Sequence, residues 1–259
     1  MEKYFGSLSI SSCFLQKLYK RSLSIACNLA AIIGVDVVSK NKIDTMNVEF
    51  DGLRNICESA KKNKVKKIIY SSSSGVYGKL NYNSKVKEES VISPSSGYAM
   101  AKRNSEIYLE NFYKETNINC CAVRLFNVYG DRQDSRMVIS RFINSAQKGR
   151  DIIIYGDGQQ TRDFTHISDC IKTFELLEKK ITGYEIFNSS KGIETKIYDL
   201  AKLIIKLCKS KSKIKLIKTP KQLLEFQVKK RCGDSSKLKK YIDYKPTKSL
   251  LSGLKETYF

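Results

Sequence analysis

With 259 residues, 41% of them apolar and 10% aromatic, the chain can bury a sizeable core and is too hydrophobic for a disordered segment. Its formal charge of +21 comes from lysines spread from end to end, with no arginine-rich stripe interleaved with aromatics, which argues against a nucleic-acid partner. Eight cysteines without a C-x-x-C pair, and one histidine, make neither a disulfide framework nor a metal-site spacing, and suit free thiols in a reducing cytoplasm.

Residues 17–34, KLYKRSLSIACNLAAIIG, place basic residues before a short apolar run, the outline of a signal peptide. The run is too short to span a bilayer, and Asn28 and Asp36 interrupt it, so neither secretion nor a membrane partner is expected. ACNLAAIIG (26–34) reads as a buried strand closed by glycine. TMNVEFDGLRNICESAKKNK (45–64) carries Met46, Phe50, Leu53, Ile56 and Cys57 at helical spacing and ends in lysines that suit a helix C-terminus. KKIIYSSSS (66–74) is a strand of β-formers that breaks into a serine loop. SGYAMAKRNSEIYLENFYKET (96–116) is a second amphipathic helix, and NCCAVRLFNVYG (119–130) a strand with its loop. This alternation predicts βαβ units and a parallel sheet covered on both faces. Beyond it, helices are predicted at 140–149, 168–180 and 197–210, and short strands at 151–158, 184–190 and 214–218.

Tyr98 and Lys102 are four residues apart on the second helix and share a face. A free phenol with a pKa of ~10 is a poor base at neutral pH. A nearby ammonium, aided by a second positive charge, favours the phenolate. A serine at the end of the neighbouring strand could hydrogen-bond the same substrate hydroxyl, which completes a proton-transfer centre. Strand C-termini are where doubly wound sheets bind ligands.

In this order, NLAA, DGLRNICESA, VKKIIYSSSSGVYG, SPSSGYAMAK, VRLFNVYGDRQ, IIIYGDGQQTRDFTHISD, EIFNSSKG and DSSKLKKYIDYKP resemble the motifs of the extended short-chain dehydrogenase/reductases, in their nucleotide-sugar epimerase/dehydratase branch, over residues 26–259. The resemblance implies a Rossmann-like doubly wound α/β sheet with a smaller C-terminal α/β substrate-binding region. It implies Ser73, Tyr98 and Lys102 as the catalytic set. Leu29, Ala30, Ala31, Ser71 and Ser72, with Tyr98 and Lys102, would line the NAD cleft. Asn127 and Arg162 would hold the diphosphate of a nucleotide sugar, together with Ser73 at the sugar. His166 has no catalytic role in the motif, and Tyr77 and Gly78 read as turn structure. Ser74 and Gly75 stand where dehydratases carry Asp and Glu, which favours epimerisation through a transient 4-keto sugar. A homodimer through helices at about 47–62 and 98–116 is the family expectation.

Three departures qualify the resemblance. Residues 1–27 show no G-x-x-G-x-x-G turn, so the Rossmann part is expected to be N-terminally truncated. Glu49 occupies the asparagine position of the family's N-V-x-G-T helix. LLEFQV (223–228) stands where an R-x-G-D pair is expected. The predicted organisation is an unmatched segment 1–27, a partial NAD-binding domain 28–130, and a nucleotide-sugar-binding region 131–259 interleaved with it. Three readings stay open: an active epimerase, a dehydratase, and a non-catalytic remnant that binds a nucleotide sugar or serves as a dimerisation partner.

Overall fold

The computed structural model describes residues 24–32, 34–79 and 85–259. Most of the segment expected to be unmatched, and the basic start of the signal-like stretch, lie outside these residues.

Four strands make the main sheet: β1 (Ile25–Asn28), β2 (Lys67–Ser73), β3 (Asn119–Leu125) and β8 (Tyr184–Ser189). They lie side by side in the order β1-β2-β3-β8 and every pairing is parallel. Parallel pairing requires crossovers. Between β1 and β2 the chain forms α1 (Val35–Lys40) and α2 (Lys42–Lys62). Between β2 and β3 it makes one 3-10 turn (Ser74–Tyr77) and then α3 (Gly97–Thr116). Ser96 caps α3 by accepting the Ala99 amide proton at 3.3 Å, and Asn117 closes it in the left-handed conformation.

Alternation along the strands sends side chains to two faces. Ile68 and Tyr70 of β2, with Cys120 and Ala122 of β3, meet Leu53, Cys57 and Ala60 of α2 and Leu109 and Phe112 of α3. Ile69, Cys121, Val123 and Phe187 of β8 point the other way, against Leu177 of α5 (Ile167–Lys180) and Leu238 and Ile242 of α7 (Ser236–Ile242). Each fully buried Leu, Ile, Val or Phe among them contributes on the order of 1.5–3 kcal/mol. The predicted parallel sheet covered on both faces is therefore present.

The chain after residue 130 also builds a second core. α4 (Val138–Gln147), β5 (Ile152–Tyr155), α6 (Ile197–Leu207) and α8 (Leu250–Tyr258) pack around Phe142, Ile154, Leu200, Ile204 and Leu254. β10 (Ile214–Ile217) pairs in parallel with β5, β4 (Val128–Tyr129) with β7 (Thr165–His166), and β6 (Thr161–Asp163) runs antiparallel to β9 (Glu194–Lys196). Because β8, α5 and α7 come from this later part of the chain, the second region is threaded back onto the first.

β1 departs from its prediction. It ends at Asn28, where the side-chain Oδ1 accepts the Ala30 amide proton at 3.2 Å and turns the backbone out of the strand. Helix α1 and the final helices α7 and α8 are short enough that no long apolar stripe announced them.

Gly78, at φ 67°, ends the 3-10 turn, and a Cβ there would sit 1.6 Å from the Ser93 carbonyl oxygen. Gly78→Ala is expected to cost more than ~2 kcal/mol, read as a lower denaturant midpoint. An unchanged midpoint would contradict this backbone path.

Candidate active site

The C-terminal end of β2 places Ser71, Ser72 and Ser73 in succession, and α3 brings Tyr98 and Lys102 over them. Lys102 Nζ donates to the Ser71 carbonyl at 2.8 Å and lies 5.5 Å from the centre of the Tyr98 ring and 4.7 Å from that of Tyr70. Ser73 and Tyr98 are both partly buried, and the Ser73 hydroxyl lies near enough to the phenol to favour its ionised form. The three residues expected to form the catalytic set are thus together.

Burial pushes the Tyr98 phenol up from its ordinary value, Glu49 pushes it further, and Ser73 works in the opposite direction. Burial also pulls Lys102 down, against the raising effect of Glu49. Glu49 itself is pushed up by burial and held down by Lys102. Its Oε2 lies 2.7 Å from Lys102 Nζ, with both side chains sealed from solvent. Glu49 belongs to the buried stripe of α2 with Thr45, Leu53 and Cys57, a place the apolar spacing alone did not reveal.

The residues expected in the cofactor cleft separate. Leu29 (63% exposed) and Ala30 lie open beyond β1, and Ala31 is partly covered. Ser71 donates its hydroxyl to the Asn28 carbonyl at 3.0 Å and ties β1 to β2. Ser72 points to the opposite face, where its hydroxyl donates to Glu106 Oε1 at 2.6 Å. Its side chain is part of the packing under α3 instead of the cleft surface, as its alternation with Ile68 and Tyr70 requires.

Behind Ser72 lies a buried charge network. Arg124 grips Glu106 through Nε and Nη2, each at 2.8 Å, and its Nη1 reaches the Tyr77 hydroxyl and the Glu88 carbonyl, each at 3.0 Å. Tyr77 in turn donates to Asn188 Oδ1 at 2.7 Å. Tyr77 therefore pins the turn after Ser73. Glu106 one turn beyond Lys102 was the available signal for this network.

Asn127 sits two residues beyond Leu125, the register partner of Ser73, with φ 28°. Its Nδ2 donates to the Asp163 carbonyl at 3.1 Å, which fixes it beside β6 and so beside Arg162. Arg162 Nη1 donates to the Thr161 and Val228 carbonyls at 2.8 and 2.7 Å, and burial pulls the guanidinium down to about 10. Asn127 is thus tied to β6, the strand that carries Arg162, beside the strand ends that carry the first group.

Arg231, Cys232, Gly233 and Asp234 spell R-x-G-D, the sequence expected to be missing. Arg231 Nη2 donates to the Gly78 carbonyl, and Gly233 N donates to Asp163 Oδ2 at 3.1 Å. His166 is a cap for α5, with Nδ1 2.8 Å from the Ser168 hydroxyl and Nε2 2.9 Å from that of Thr257, which matches a structural role. Among the described residues no group of three or more His, Cys, Asp or Glu could hold a metal ion, and no helix is long and apolar enough to cross a membrane.

Residues 6–188 match the family model described as NAD dependent epimerase/dehydratase family. A UDP-N-acetyl-alpha-D-glucosaminuronate decarboxylase of Bacillus cytotoxicus is 35% identical over 243 residues, 90% of this chain and 75% of that protein. A UDP-glucuronate 4-epimerase of Thermodesulfobacterium geofontis is 31% identical over 242 residues, 91% of this chain and 72% of its own. The crystal structure of a Thermotoga maritima UDP-glucose 4-epimerase with UDP-glucose superposes with a TM-score of 0.89 at 28% identity, covering 95% of this chain and 79% of that one. The parallel sheet, the later region threaded onto it and these matches lead to one conclusion: the chain belongs to the NAD-dependent epimerase/dehydratase family.

Proposed function

We propose that the protein is an NAD-dependent epimerase of a nucleotide-diphosphate sugar, working through transient oxidation at sugar C4. The observation that carries the reading is the cluster of Ser73, Tyr98 and Lys102 at the strand ends, followed by Ser74 and Gly75, which supply no acid for a departing hydroxyl.

The residues present fit the nicotinamide end of a dinucleotide. Leu29 offers exposed apolar surface beside the cleft. Lys102 spends two of its three N–H donors on Glu49 and Ser71, which leaves one for a ribose hydroxyl. When bound, NAD would supply the hydride acceptor for sugar C4 and, in its reduced form, the donor for return to the other face. Tyr98 takes the proton of the 4-hydroxyl as the ketone forms and gives it back when the alcohol is restored. Ser73 hydrogen-bonds the same oxygen and holds it against the phenol. Arg162 and Asn127 grip the diphosphate, where a guanidinium is the best-matched donor, while the sugar turns over between the two half-reactions. Arg162→Met is expected to weaken nucleotide-sugar binding at least ~tenfold, since hydrogen bonds to charged groups are worth about 1.5–3 kcal/mol. Calorimetric titration of the variant checks this.

The proposal includes a homodimer through α2 and α3. Met100 and Ile107, one heptad apart on α3, are 44% and 42% exposed, and Ile43 on α2 is 70% exposed, apolar surface that a second copy would cover.

Incubating the protein and NAD with UDP-hexoses and UDP-uronic acids, with products identified by NMR, tests the reading. Interconversion of C4 epimers supports it. Loss of carbon dioxide from a uronic acid would instead support decarboxylation, the second reading, which is favoured by the 35% identity to the Bacillus cytotoxicus decarboxylase. Loss of water would make the protein a dehydratase.

A further inference from the structure

The Glu49–Lys102 pair sets the charge of the whole centre. Whichever partner holds the proton, the pair has no net charge. Lys102 alone would present a cation to Tyr98 and repel a cationic ring; paired with Glu49 it does neither. Glu49 Oε2 takes Lys102 at 2.7 Å and the Tyr70 hydroxyl at 3.5 Å, while Oε1 is buried without a hydrogen-bond partner of good geometry. The carboxylate, which the Ile32 backbone amide also helps to keep ionised, stands at a place where the resemblance puts a neutral asparagine.

Among the described residues, the titratable and polar groups facing Tyr98 are Glu49 from α2, Tyr70 and Ser73 from β2, and Lys102 on its own helix. Glu106, one turn further along, is already matched by Arg124 and Arg103. Glu49 and Lys102, the charged groups nearest Tyr98, sum to no net charge. A cation brought into the cleft adds one positive charge, and loss of the Tyr98 proton removes it again.

We propose that Glu49 is a positioning residue that holds Lys102 and makes the site favour a cationic ring over a neutral one, with entry of the cation linked to release of the Tyr98 proton. The inference rests on reading this cleft as a nicotinamide site. The binding step balances simply: oxidised dinucleotide enters, one proton leaves to solvent, and no electrons move. Reciprocity requires that higher pH tighten binding of the oxidised form.

The test is calorimetric titration of the wild type, Glu49→Gln and Glu49→Asp with NAD and, separately, NADH. The wild type is expected to prefer the oxidised form, with an affinity that rises with pH, while the affinity for NADH stays flat. Glu49→Gln is expected to cut the oxidised-over-reduced preference about tenfold, the weight of one pKa unit, and Glu49→Asp to keep most of it. A purely structural Glu49 would weaken both forms together and leave their ratio unchanged, which overturns the proposal. Should Glu49→Gln fail to fold, the wild type decides, because an affinity for NAD that does not change with pH overturns it equally. If the wild type binds neither form, the nicotinamide reading itself falls, and the inference with it. An unchanged ratio with good binding removes the inference alone.

Discussion

Tyr98→Phe is expected to abolish turnover, by ~10²–10⁴-fold or more, while the chain folds as before. The variant removes one hydroxyl and keeps the ring that lies 5.5 Å from Lys102 Nζ. The Tyr98 side chain is partly buried and its hydroxyl lies outside the Glu106–Arg124 network, so the cost to stability is within ~1 kcal/mol. The expected result is a normal melting temperature, retained nucleotide-sugar binding and no product. Product formation at a rate near wild type would remove Tyr98 from the chemistry.

The second large effect concerns stability. Glu106 and Arg124 are 0% and 1% exposed and joined by two hydrogen bonds. Glu106→Gln leaves the Arg124 guanidinium buried without its counter-charge, with one carboxamide oxygen in place of two carboxylate acceptors. Breaking a buried pair in this way costs about 3–5 kcal/mol, which for a chain of this size lowers the melting temperature by roughly 10 °C. Burial alone pushes Glu106 up, but Arg124, Ser72 and Arg103 together bring it below the ordinary carboxylate range. A carboxylate with a lowered folded pKa contributes stability above its unfolded value and loses it as pH falls through the folded value. The gap between wild type and Glu106→Gln should therefore be widest near neutral pH and close in acid. Equal melting temperatures at neutral pH would show that the pair contributes nothing net.

The main elements were legible because β2, β3, α2 and α3 are long and strongly patterned, with Ile68, Tyr70, Cys120 and Ala122 alternating against helical stripes. Tyr98 and Lys102 stood out by their spacing and Ser73 only through the family resemblance; the structure places the three side by side. Glu49 was visible as a departure from the motif. Its contact with Lys102 was not, since it joins two helices whose register against each other is set only by packing. Ser72 was misplaced because a run of four serines hides which side chains face the cleft, and only pairing with Glu106 reveals it. Arg231 escaped notice because its place over Gly78 depends on the path of the chain after α6.

The most direct test of the account follows the C4 hydrogen. A UDP-hexose deuterated at C4 is incubated with the protein and NAD in ordinary water, and the product is read by NMR. Transient oxidation at C4 with return of the same hydride predicts a 4-epimer that keeps the deuterium at C4, and no such product from Tyr98→Phe. A 4-epimer that has exchanged this deuterium for solvent hydrogen, or an unaltered hexose in the presence of bound NAD, would contradict it.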